Sequence, residues 1–244
     1  MKAPVLNLGH RGASGHAPEN TLAAVQAAME LGADGIEIDV HLTRDQEVVL
    51  LHDDLLQRTT NGVGAVQEFD LVELKTLDAG SWFSLAFVSE PIPTLQQVLR
   101  LASNRLFVNV EIKAEERVDI LAAKVVDLLT THRTRCMITS FDQKALRAVA
   151  ALGSSIPLGF IFEDFPQQAL EVPWPILSAD YHLLDAAWIN RCRQAKKQLF
   201  TWTVNESADL KAVLKLGVDG IMTNYPDRLS KLLSARRSAE REER

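Results

Sequence analysis

The sequence predicts an α/β fold, a (β/α)8 TIM barrel with a β-hairpin and a small insertion over its C-terminal mouth. Short apolar runs alternate with amphipathic helical stretches, eight of those runs suit parallel strands, and a ninth follows its predecessor too closely to be parallel to it. Alternating strands and helices are typical of parallel βαβ units. A length of 244 residues suits one barrel of about 200–250 residues. Residues 1–244 are therefore expected to form a single domain.

The elements are expected in the following order. The first strand spans 5–9, and the helix after it spans 21–31, with Asn20 as N-cap and Gly32 just beyond its end, both favoured residue types at those positions. The other parallel strands are expected at 35–39, 106–113, 136–140, 156–160, 175–179, 199–204 and 219–224. Residues 54–93 show no clear strand–helix alternation, so they form the predicted insertion.

The ninth apolar run, residues 47–53, predicts an antiparallel hairpin. Only a few residues separate this run from Asp39, whereas a parallel crossover takes a dozen or more. The segment VHLTRDQEVVLLHD is expected to turn near Asp45 and Gln46. The hairpin then returns His52 to about the height of Asp39.

Composition excludes several classes of function. A net charge of −6 argues against a nucleic-acid partner, which favours a basic face. No apolar stretch approaches the ~20 residues that span a bilayer, so no stable membrane insertion is expected. Cys136 and Cys192 lie far apart, and the N-terminus lacks a signal-peptide pattern, so a cytoplasmic location is expected. Nothing in the sequence indicates an oligomeric state.

Acidic side chains gather at the predicted strand ends. Glu37 and Asp39 lie two residues apart, on one face of the second strand, and Glu111 lies on the next parallel strand. The C-terminal strand ends of a barrel surround one pocket, where enzymes of this fold carry out their chemistry. Three carboxylates there repel one another unless a cation joins them, which predicts a Mg²⁺ or Ca²⁺ site. The alternative is a buried ion network with Arg11 and Lys113, which leaves one charge unpaired.

Two histidines also lie at the ends of predicted elements near these carboxylates. His10 ends the first strand and His52 ends the hairpin, each beside a charged residue, which suits general acid–base catalysis near neutral pH. Arg11 and Lys113 suit an anionic phosphate. Trp202 fits core packing as well as a place in the pocket. The remaining histidines lack that setting and are expected at the surface or in loops: His16, His41, His132 and His182.

A series of motifs over residues 8 to 227 identifies a family. In chain order they are GHRG, PENT, EIDVHLTRDQEVVLLHD, RTTNG, IPTL, VNVEIK, SFD, WTVN and GVDGIMTNYP. With them the chain resembles the glycerophosphodiester phosphodiesterases of short bacterial, cytoplasmic type. HRG, EID and HD at these spacings are far more specific than any single short motif.

The resemblance implies an enzyme of lipid and glycerol metabolism that hydrolyses glycerophosphodiesters, such as glycerophosphocholine, to an alcohol and glycerol 3-phosphate. It implies a Mg²⁺ or Ca²⁺ cofactor and a small-molecule phosphodiester as the binding partner. The residues that match the family's functional positions are His10 and His52 as the acid–base pair, Arg11, Lys113 and Trp202 as substrate contacts, and Glu37, Asp39 and Glu111 as metal ligands.

Two further positions bear on this pocket. Glu19 of PENT is expected to hold Arg11 or a histidine from behind. Asn224 stands at the end of the last strand, where the family more often has Asp, and it is expected to tune the pocket without changing the metal and histidine set.

Other functions remain open at this stage. A related phosphodiesterase could act on lysophospholipids or phosphoinositides, in which case Trp82, Leu85 and Phe87 of the insertion are expected to form an exposed apolar rim. A barrel that only binds phosphate esters is the alternative outside the enzymes, since fold alone does not define function, but mere binding needs no acid–base pair. The residues leave open whether water attacks the phosphorus, or the glycerol 2-hydroxyl through a cyclic phosphate.

Overall fold

Eight parallel strands close into a barrel. The structure is a computed structural model that describes residues 4–103, 105–164 and 166–242. Its strands are β1 (Leu6–His10), β2 (Gly35–Leu42), β3 (Val48–Leu50), β4 (Phe107–Ile112), β5 (Cys136–Ser140), β6 (Leu158–Phe162), β7 (Ile176–Asp180), β8 (Gln198–Trp202) and β9 (Gly220–Thr223). The ring runs β1-β2-β4-β5-β6-β7-β8-β9 and closes where β9 pairs with β1. The predicted TIM barrel is confirmed.

Helices pack against the outside of this barrel. They are α1 (Leu22–Glu30), α2 (Leu71–Leu74), α3 (Leu95–Ala102), α4 (Val118–Thr131), α5 (Gln143–Ala151), α6 (Pro166–Ala169), α7 (Ala186–Gln194), α8 (Ser207–Leu216) and α9 (Pro226–Glu242). Val25 of α1 and Leu121 of α4, for example, share one buried cluster with Ile38 and Val110 of the strands. Within the described ranges, no helix is both long and apolar enough to cross a membrane.

The inward faces of the strands are apolar at one end and polar at the other. Inside the barrel, Leu8 packs with Met137, Ile176, Phe200 and Met222. Successive side chains of a strand point to opposite faces, so the residue two positions after Leu8 on the same face is the histidine that ends β1. The apolar cluster therefore fills the barrel below, and the strand ends are left for polar groups.

The hairpin forms as predicted. β3 pairs antiparallel with the end of β2, in the register Val40 with Leu50 and Leu42 with Val48. The turn contains Gln46 with a positive φ of 64°. β2 thus runs three residues beyond its predicted end at Asp39, because the hairpin adds its own ladder to the top of the strand.

Most other element boundaries differ from the prediction by one or two residues, and two of these differences have a visible structural reason. The helix predicted to follow Asn20 is capped by Thr21, whose Oγ1 accepts a hydrogen bond from the Ala24 amide at 3.2 Å. Asn20 has a φ of 56° and uses its side chain on a carboxylate of β2 instead. The strand expected at 156–160 begins two residues later, immediately after Pro157, which has no N–H to donate to a ladder. The glycine expected beyond α1, Gly32, has a φ of 76°.

The segment 54–93 contains α2 and three turns of 3₁₀ helix, at 56–58, 66–68 and 85–87. Its apolar residues form a separate cluster with the hairpin, in which Leu56 and Leu74 pack on Val49 of β3. The Glu90 carboxylate accepts a hydrogen bond from the Ala23 amide at the start of α1 (3.1 Å). The segment thus braces the hairpin from the side away from the barrel.

Candidate active site

A cavity of about 170 Å³ lies among the carboxyl ends of the strands. One wall comes from β1, β2, the hairpin and β4, and it includes His10, Arg11, Glu37, His52, Asn109 and Glu111. The opposite wall comes from β5 to β9 and includes Phe141, Ile161, Glu163, Ser178, Trp202 and Met222. We call these the reactive wall and the far wall.

Three carboxylates meet at the reactive wall, with Glu37 and Glu111 in the cavity lining and Asp39 beside them. Glu37 and Asp39 project from one face of β2, and Glu111 projects from β4 opposite Asp39 in the strand register. Each offers a ligand oxygen that lies within 4.8 Å of the others, and all three residues are buried. The structure thus brings together the three residues that the sequence suggested as metal ligands.

Two cations neutralise part of this charge. Lys113 Nζ lies 2.7 Å from Asp39 Oδ1 and contacts Glu111 Oε1 more closely still. Arg11 Nε lies 3.4 Å from Asp39 Oδ2, within ion-pair range although without hydrogen-bond geometry. Burial by itself would raise the pKa of Asp39, but Lys113 and Arg11 outweigh it and hold that pKa below its usual range. Asp39 is therefore a paired anion.

Asn20 also holds this anion in place. Its Nδ2 donates to Asp39 Oδ2 at 2.8 Å, and its Oδ1 accepts from the Asp39 amide at 3.2 Å. The sequence pattern did not predict this role, because an Asn immediately before a helix is typical of an N-cap.

Glu37, unlike Asp39, has an oxygen that is not paired. Its Oε2 accepts a hydrogen bond from the Arg11 amide at 3.0 Å, but its buried Oε1 has no partner in the described part of the chain. Burial, followed by the charges of Asp39 and Glu111, raises the pKa of Glu37 well above its ordinary value. Burial and Asp39 likewise raise the pKa of Glu111 to about 7. Three carboxylate donors with an orphaned buried oxygen fit a hard divalent cation such as Mg²⁺ or Ca²⁺.

His10 is nearly enclosed at the end of β1. Its Nδ1 lies 2.8 Å from Asn224 Oδ1, and its Nε2 lies 3.9 Å from Glu37 Oε2. Burial, and then the charge of Arg11, lower the pKa of His10 to about 4. The imidazole is therefore neutral near pH 7. Asn224 thus acts on the pocket directly through His10.

His52 has a more open setting. Its Nδ1 lies 2.6 Å from Asp53 Oδ1, and its side chain is 35% exposed. Burial lowers the pKa of His52, and Lys113 and Arg11 act in the same direction against the opposing charge of Asp39. The two histidines therefore differ in their partner, since one faces a neutral amide and the other a carboxylate.

Arg11 bonds to the acidic residue of PENT, as expected. Its Nη1 donates to Glu19 Oε1 at 2.7 Å, which confirms the expectation for Glu19. Arg58, from the insertion, contacts Glu19 as well at 2.8 Å. Sequence reasoning missed this arginine, although the RTTNG motif that contains it had been noted.

Trp202 lines the far wall. Its ring meets that of Phe141 edge to face, with centroids 5.7 Å apart, and its Nε1 donates to the Ser178 carbonyl at 3.3 Å. Asn109 Nδ2 and Ser178 Oγ are buried without a hydrogen-bond partner among the described residues. The cavity therefore combines aromatic surface with unused polar groups, a combination that suits a small polyol.

The expectation that His41 lies at the surface is wrong. His41 is 6% exposed, because the extension of β2 carries it beneath the insertion. Its Nε2 lies 3.3 Å from the His52 carbonyl oxygen, and its Nδ1 lies 3.8 Å from Glu115 Oε2. It thus joins β2 to the backbone of the residue that ends the hairpin.

The apolar side chains expected at the rim belong to the insertion and not to the cavity wall. Leu85 is 84% exposed, and Trp82 is 44% exposed. Phe83 packs edge to face against both Trp82 and Phe87, with centroids 5.7 Å apart in each pair. The tip of the insertion is therefore a small aromatic cluster with apolar side chains facing solvent.

Comparison with known proteins identifies relatives of similar length. The sequence profile of the glycerophosphoryl diester phosphodiesterase family matches residues 10–228. The chain is 39% identical to a glycerophosphodiester phosphodiesterase of Caldanaerobacter subterraneus over 93% of this chain and 97% of the relative. It is 31% identical to a glycerophosphodiester phosphodiesterase of Bacillus subtilis, over 93% and 86% of the two chains.

Solved structures give a matching fold. The structure of a phosphodiesterase from Oleispira antarctica, in complex with the product sn-glycerol-3-phosphate, superposes with a TM-score of 0.89 at 32% identity. The match covers 95% of this chain and 97% of that protein. A glycerophosphodiester phosphodiesterase from Agrobacterium tumefaciens gives a TM-score of 0.83 at 27% identity, over 93% and 99% of the two chains.

Proposed function

The chain belongs to the glycerophosphoryl diester phosphodiesterase family, and we propose that it hydrolyses glycerophosphodiesters to an alcohol and glycerol 3-phosphate, with a divalent cation and two histidines. One observation carries the proposal. A single small cavity is lined by two imidazoles, an arginine and the carboxylates of Glu37 and Glu111, and the third carboxylate of the triad, Asp39, adjoins them and pairs with Lys113. The complex of the Oleispira relative with sn-glycerol-3-phosphate supports the same product here.

Glu37, Asp39 and Glu111 would hold the cation, Mg²⁺ or Ca²⁺. When bound, it supplies Lewis-acid polarisation of a phosphoryl oxygen and offsets charge in the transition state. The orphaned Oε1 of Glu37 supports this assignment, since a buried carboxylate oxygen without a partner is costly.

Arg11 and Lys113 bind the phosphate. The guanidinium of Arg11 can present paired donors to two phosphate oxygens, whereas Lys113 acts as a point charge. Both already lie at hydrogen-bond or ion-pair distance from Asp39, the buried carboxylate that adjoins the cavity wall. They therefore bring positive charge to the place where the phosphate's negative charge develops.

The two histidines divide the proton transfers. With Asn224 Oδ1 accepting from Nδ1, His10 presents an unprotonated Nε2, and its lowered pKa of about 4 keeps it ready to take the proton of the attacking oxygen. His52 gives a proton to the leaving alkoxide, and Asp53 stabilises its imidazolium form. The attacking oxygen belongs to water or to the glycerol 2-hydroxyl. A diester that lacks the 2-hydroxyl distinguishes these routes, because only water can attack it.

The glycerol moiety is assigned to the far wall and to Asn109 of the reactive wall. Trp202 and Phe141 offer apolar surface to its carbon chain, and the unpartnered Asn109 Nδ2 and Ser178 Oγ offer hydrogen bonds to its hydroxyls. Buried polar groups of this kind are rarely left unused in folded proteins.

The direct test is a panel of glycerophosphodiesters incubated with the purified protein, with glycerol 3-phosphate as the detected product. We expect turnover that stops in excess EDTA and returns with Mg²⁺ or Ca²⁺. Full activity in EDTA, with no metal found by elemental analysis, contradicts the metal site. Absence of glycerol 3-phosphate with every diester contradicts the function itself.

A second assay separates the roles of the histidines. Substituting either histidine by Ala should lower kcat/KM on natural diesters by ~10²–10⁴-fold. A nitrophenyl phosphodiester releases a stable anion and needs little help from an acid, so His52→Ala should recover much of its rate on that substrate. Recovery in His10→Ala alone reverses the roles, and equal recovery in both or in neither refutes the division.

The exposed tip of the insertion favours one alternative substrate class. Trp82, Leu85 and Val88 are all more than two-fifths exposed, which suits contact with the acyl chain of a lysophospholipid at a membrane surface. Co-sedimentation with phosphatidylcholine liposomes tests this, with Leu85→Ser as the variant. Sedimentation of the wild type that Leu85→Ser abolishes supports the lipid substrate, and failure of both to sediment argues against it.

A further inference from the structure

We propose that Arg58 is a positioning residue that joins the phosphate-binding arginine to the histidine of the hairpin. The proposal rests on the function proposed above. Arg58 lies outside the cavity wall, so it acts through other side chains. Two carboxylates carry the connection, Glu19 towards Arg11 and Asp53 towards His52.

On the side of His52, the contact is a two-point ion pair. Arg58 Nε donates to Asp53 Oδ2 at 2.6 Å, and Nη2 donates to Oδ1 at 3.0 Å. Asp53 Oδ1 also lies 2.6 Å from His52 Nδ1. Because both carboxylate oxygens are engaged, the plane of the carboxylate is set by the guanidinium. The ring that faces this carboxylate is thereby oriented.

On the side of Arg11, the geometry is repeated. Arg58 Nη1 donates to Glu19 Oε2 at 3.0 Å, and Nη2 donates to Oε1 at 2.8 Å. Glu19 Oε1 in turn accepts from Arg11 Nη1 at 2.7 Å. One guanidinium therefore grips two carboxylates at once, with two contacts to each, a geometry that the single ammonium of a lysine cannot reproduce.

The backbone of Arg58 is anchored by a buried residue of the same turn. It ends the 3₁₀ turn of residues 56–58, and Leu56 of that turn is fully buried in the cluster shared with the hairpin. The side chain itself is 43% exposed, and exposed ion pairs contribute little to stability. Its main effect is therefore expected on the geometry of the site rather than on folding.

The chain offers a matched control in Arg44. This arginine also bridges two carboxylates, Asp70 at 2.8 Å and Glu73 at 2.9 Å, and it is 54% exposed. Its contacts lie in the same insertion but reach neither histidine. Arg44→Gln and Arg58→Gln should therefore change the melting temperature by similar small amounts, and only the second should lose activity.

The test measures kcat/KM on glycerophosphocholine and on a nitrophenyl phosphodiester for Arg58→Gln, Arg58→Lys, Glu19→Gln and Asp53→Asn. Arg58→Gln should lose about 10- to 100-fold on glycerophosphocholine, and Arg58→Lys should recover only a small part. Glu19→Gln should weaken both substrates equally, through Arg11. Asp53→Asn should change the ratio of the two substrates in the same direction as His52→Ala. Arg58→Gln should show both effects.

Double variants complete the test. Because Arg58 and Asp53 act in one chain of contacts, the double variant of Arg58→Gln with Asp53→Asn should lose less than the product of the two single losses. An Arg58→Gln enzyme within twofold of wild type on both substrates, or one no weaker than Arg44→Gln, overturns the positioning role. If the wild type turns over neither substrate, the proposed function fails and takes this proposal with it.

Discussion

Replacing Glu37 by Gln should stabilise the metal-free protein and abolish most of its stabilisation by a divalent cation. In the absence of metal, Glu37 is a buried acid whose Oε1 has no partner among the residues described, and burial with two neighbouring carboxylates raises its pKa. Gln keeps the shape and an oxygen for the Arg11 amide but carries no charge. Asp39→Asn should have the opposite effect on the metal-free protein, since it leaves Lys113 and Arg11 without their shared anion.

The magnitudes follow from the protonation of each group. The folded protein keeps a proton on Glu37 that the unfolded chain releases above its ordinary pKa of 4.5, so stability falls as pH rises above that value. At about 1.4 kcal/mol per pH unit, the cost at pH 7 reaches at most about 3.5 kcal/mol, which Glu37→Gln removes. The pKa of Asp39 is lowered on folding, so its ionised form stabilises the folded protein at pH 7. Breaking its buried pairs costs about 3–5 kcal/mol. Each 1 kcal/mol shifts the melting temperature by about 2–4 °C at this chain length.

The assay is thermal unfolding at pH 5 and pH 7, in EDTA and in saturating Mg²⁺ or Ca²⁺. In the wild type, metal at ~100 times Kd should add about 2.7 kcal/mol, and both variants should lose most of that gain. Glu115→Gln is the matched control, because Glu115 also has a buried oxygen without a partner in the described ranges but lies outside the triad. A Glu37→Gln protein that melts below wild type in EDTA, or that responds normally to metal, would refute the reasoning.

Three further predictions concern single side chains. Lys113→Ala should lower kcat/KM by a similar factor for every diester, since its contact is to the shared phosphate, and a loss confined to one alcohol would assign it to the leaving group. Asn224→Asp should raise the pKa of His10, which burial and Arg11 now hold at about 4. The acidic limb of the pH profile of kcat/KM should therefore move to higher pH. An unchanged limb would show that His10 takes no part in the rate-determining proton transfer. His41→Leu should remove the donor to the His52 carbonyl and lower kcat on natural diesters. His41→Gln should retain more activity, and equal losses in both variants would contradict a role for this hydrogen bond.

The strands and the acidic triad were predictable because they depend on local pattern. Apolar runs mark the strands whichever partners they find, and the two-residue spacing of Glu37 and Asp39 places both on one face of β2 wherever that strand packs. The barrel then brings Glu111 beside them, since neighbouring parallel strands share their register. The short gap before the ninth run likewise excluded a parallel crossover.

The supporting contacts were not predictable, because they join residues far apart in the chain. An Asn immediately before a helix predicts a cap, whereas the side chain of Asn20 takes a partner, Asp39, that lies 19 residues away. The contact of His10 with Asn224 spans 214 residues. Arg58 reaches Glu19 across 39 residues, through the arrangement of an insertion that has no periodic pattern. Hydrogen bonds of this kind depend on the relative placement of loops, which the sequence pattern does not encode.

The two walls of the cavity are encoded by separate halves of the chain. Everything that the reactive wall contributes lies before residue 114, whereas most of the far wall lies between 136 and 204, and helix α4 separates them. Recombination between homologous genes with its crossover in α4 would therefore exchange most of the far wall and leave the two histidines with the three carboxylates beside them. Such chimeras keep several dependences across the crossover, among them the contacts of His10 with Asn224 and of Asn109 with Thr139. Selection can thus alter what this barrel accepts without reassembling the histidines and carboxylates that we propose as its reactive groups.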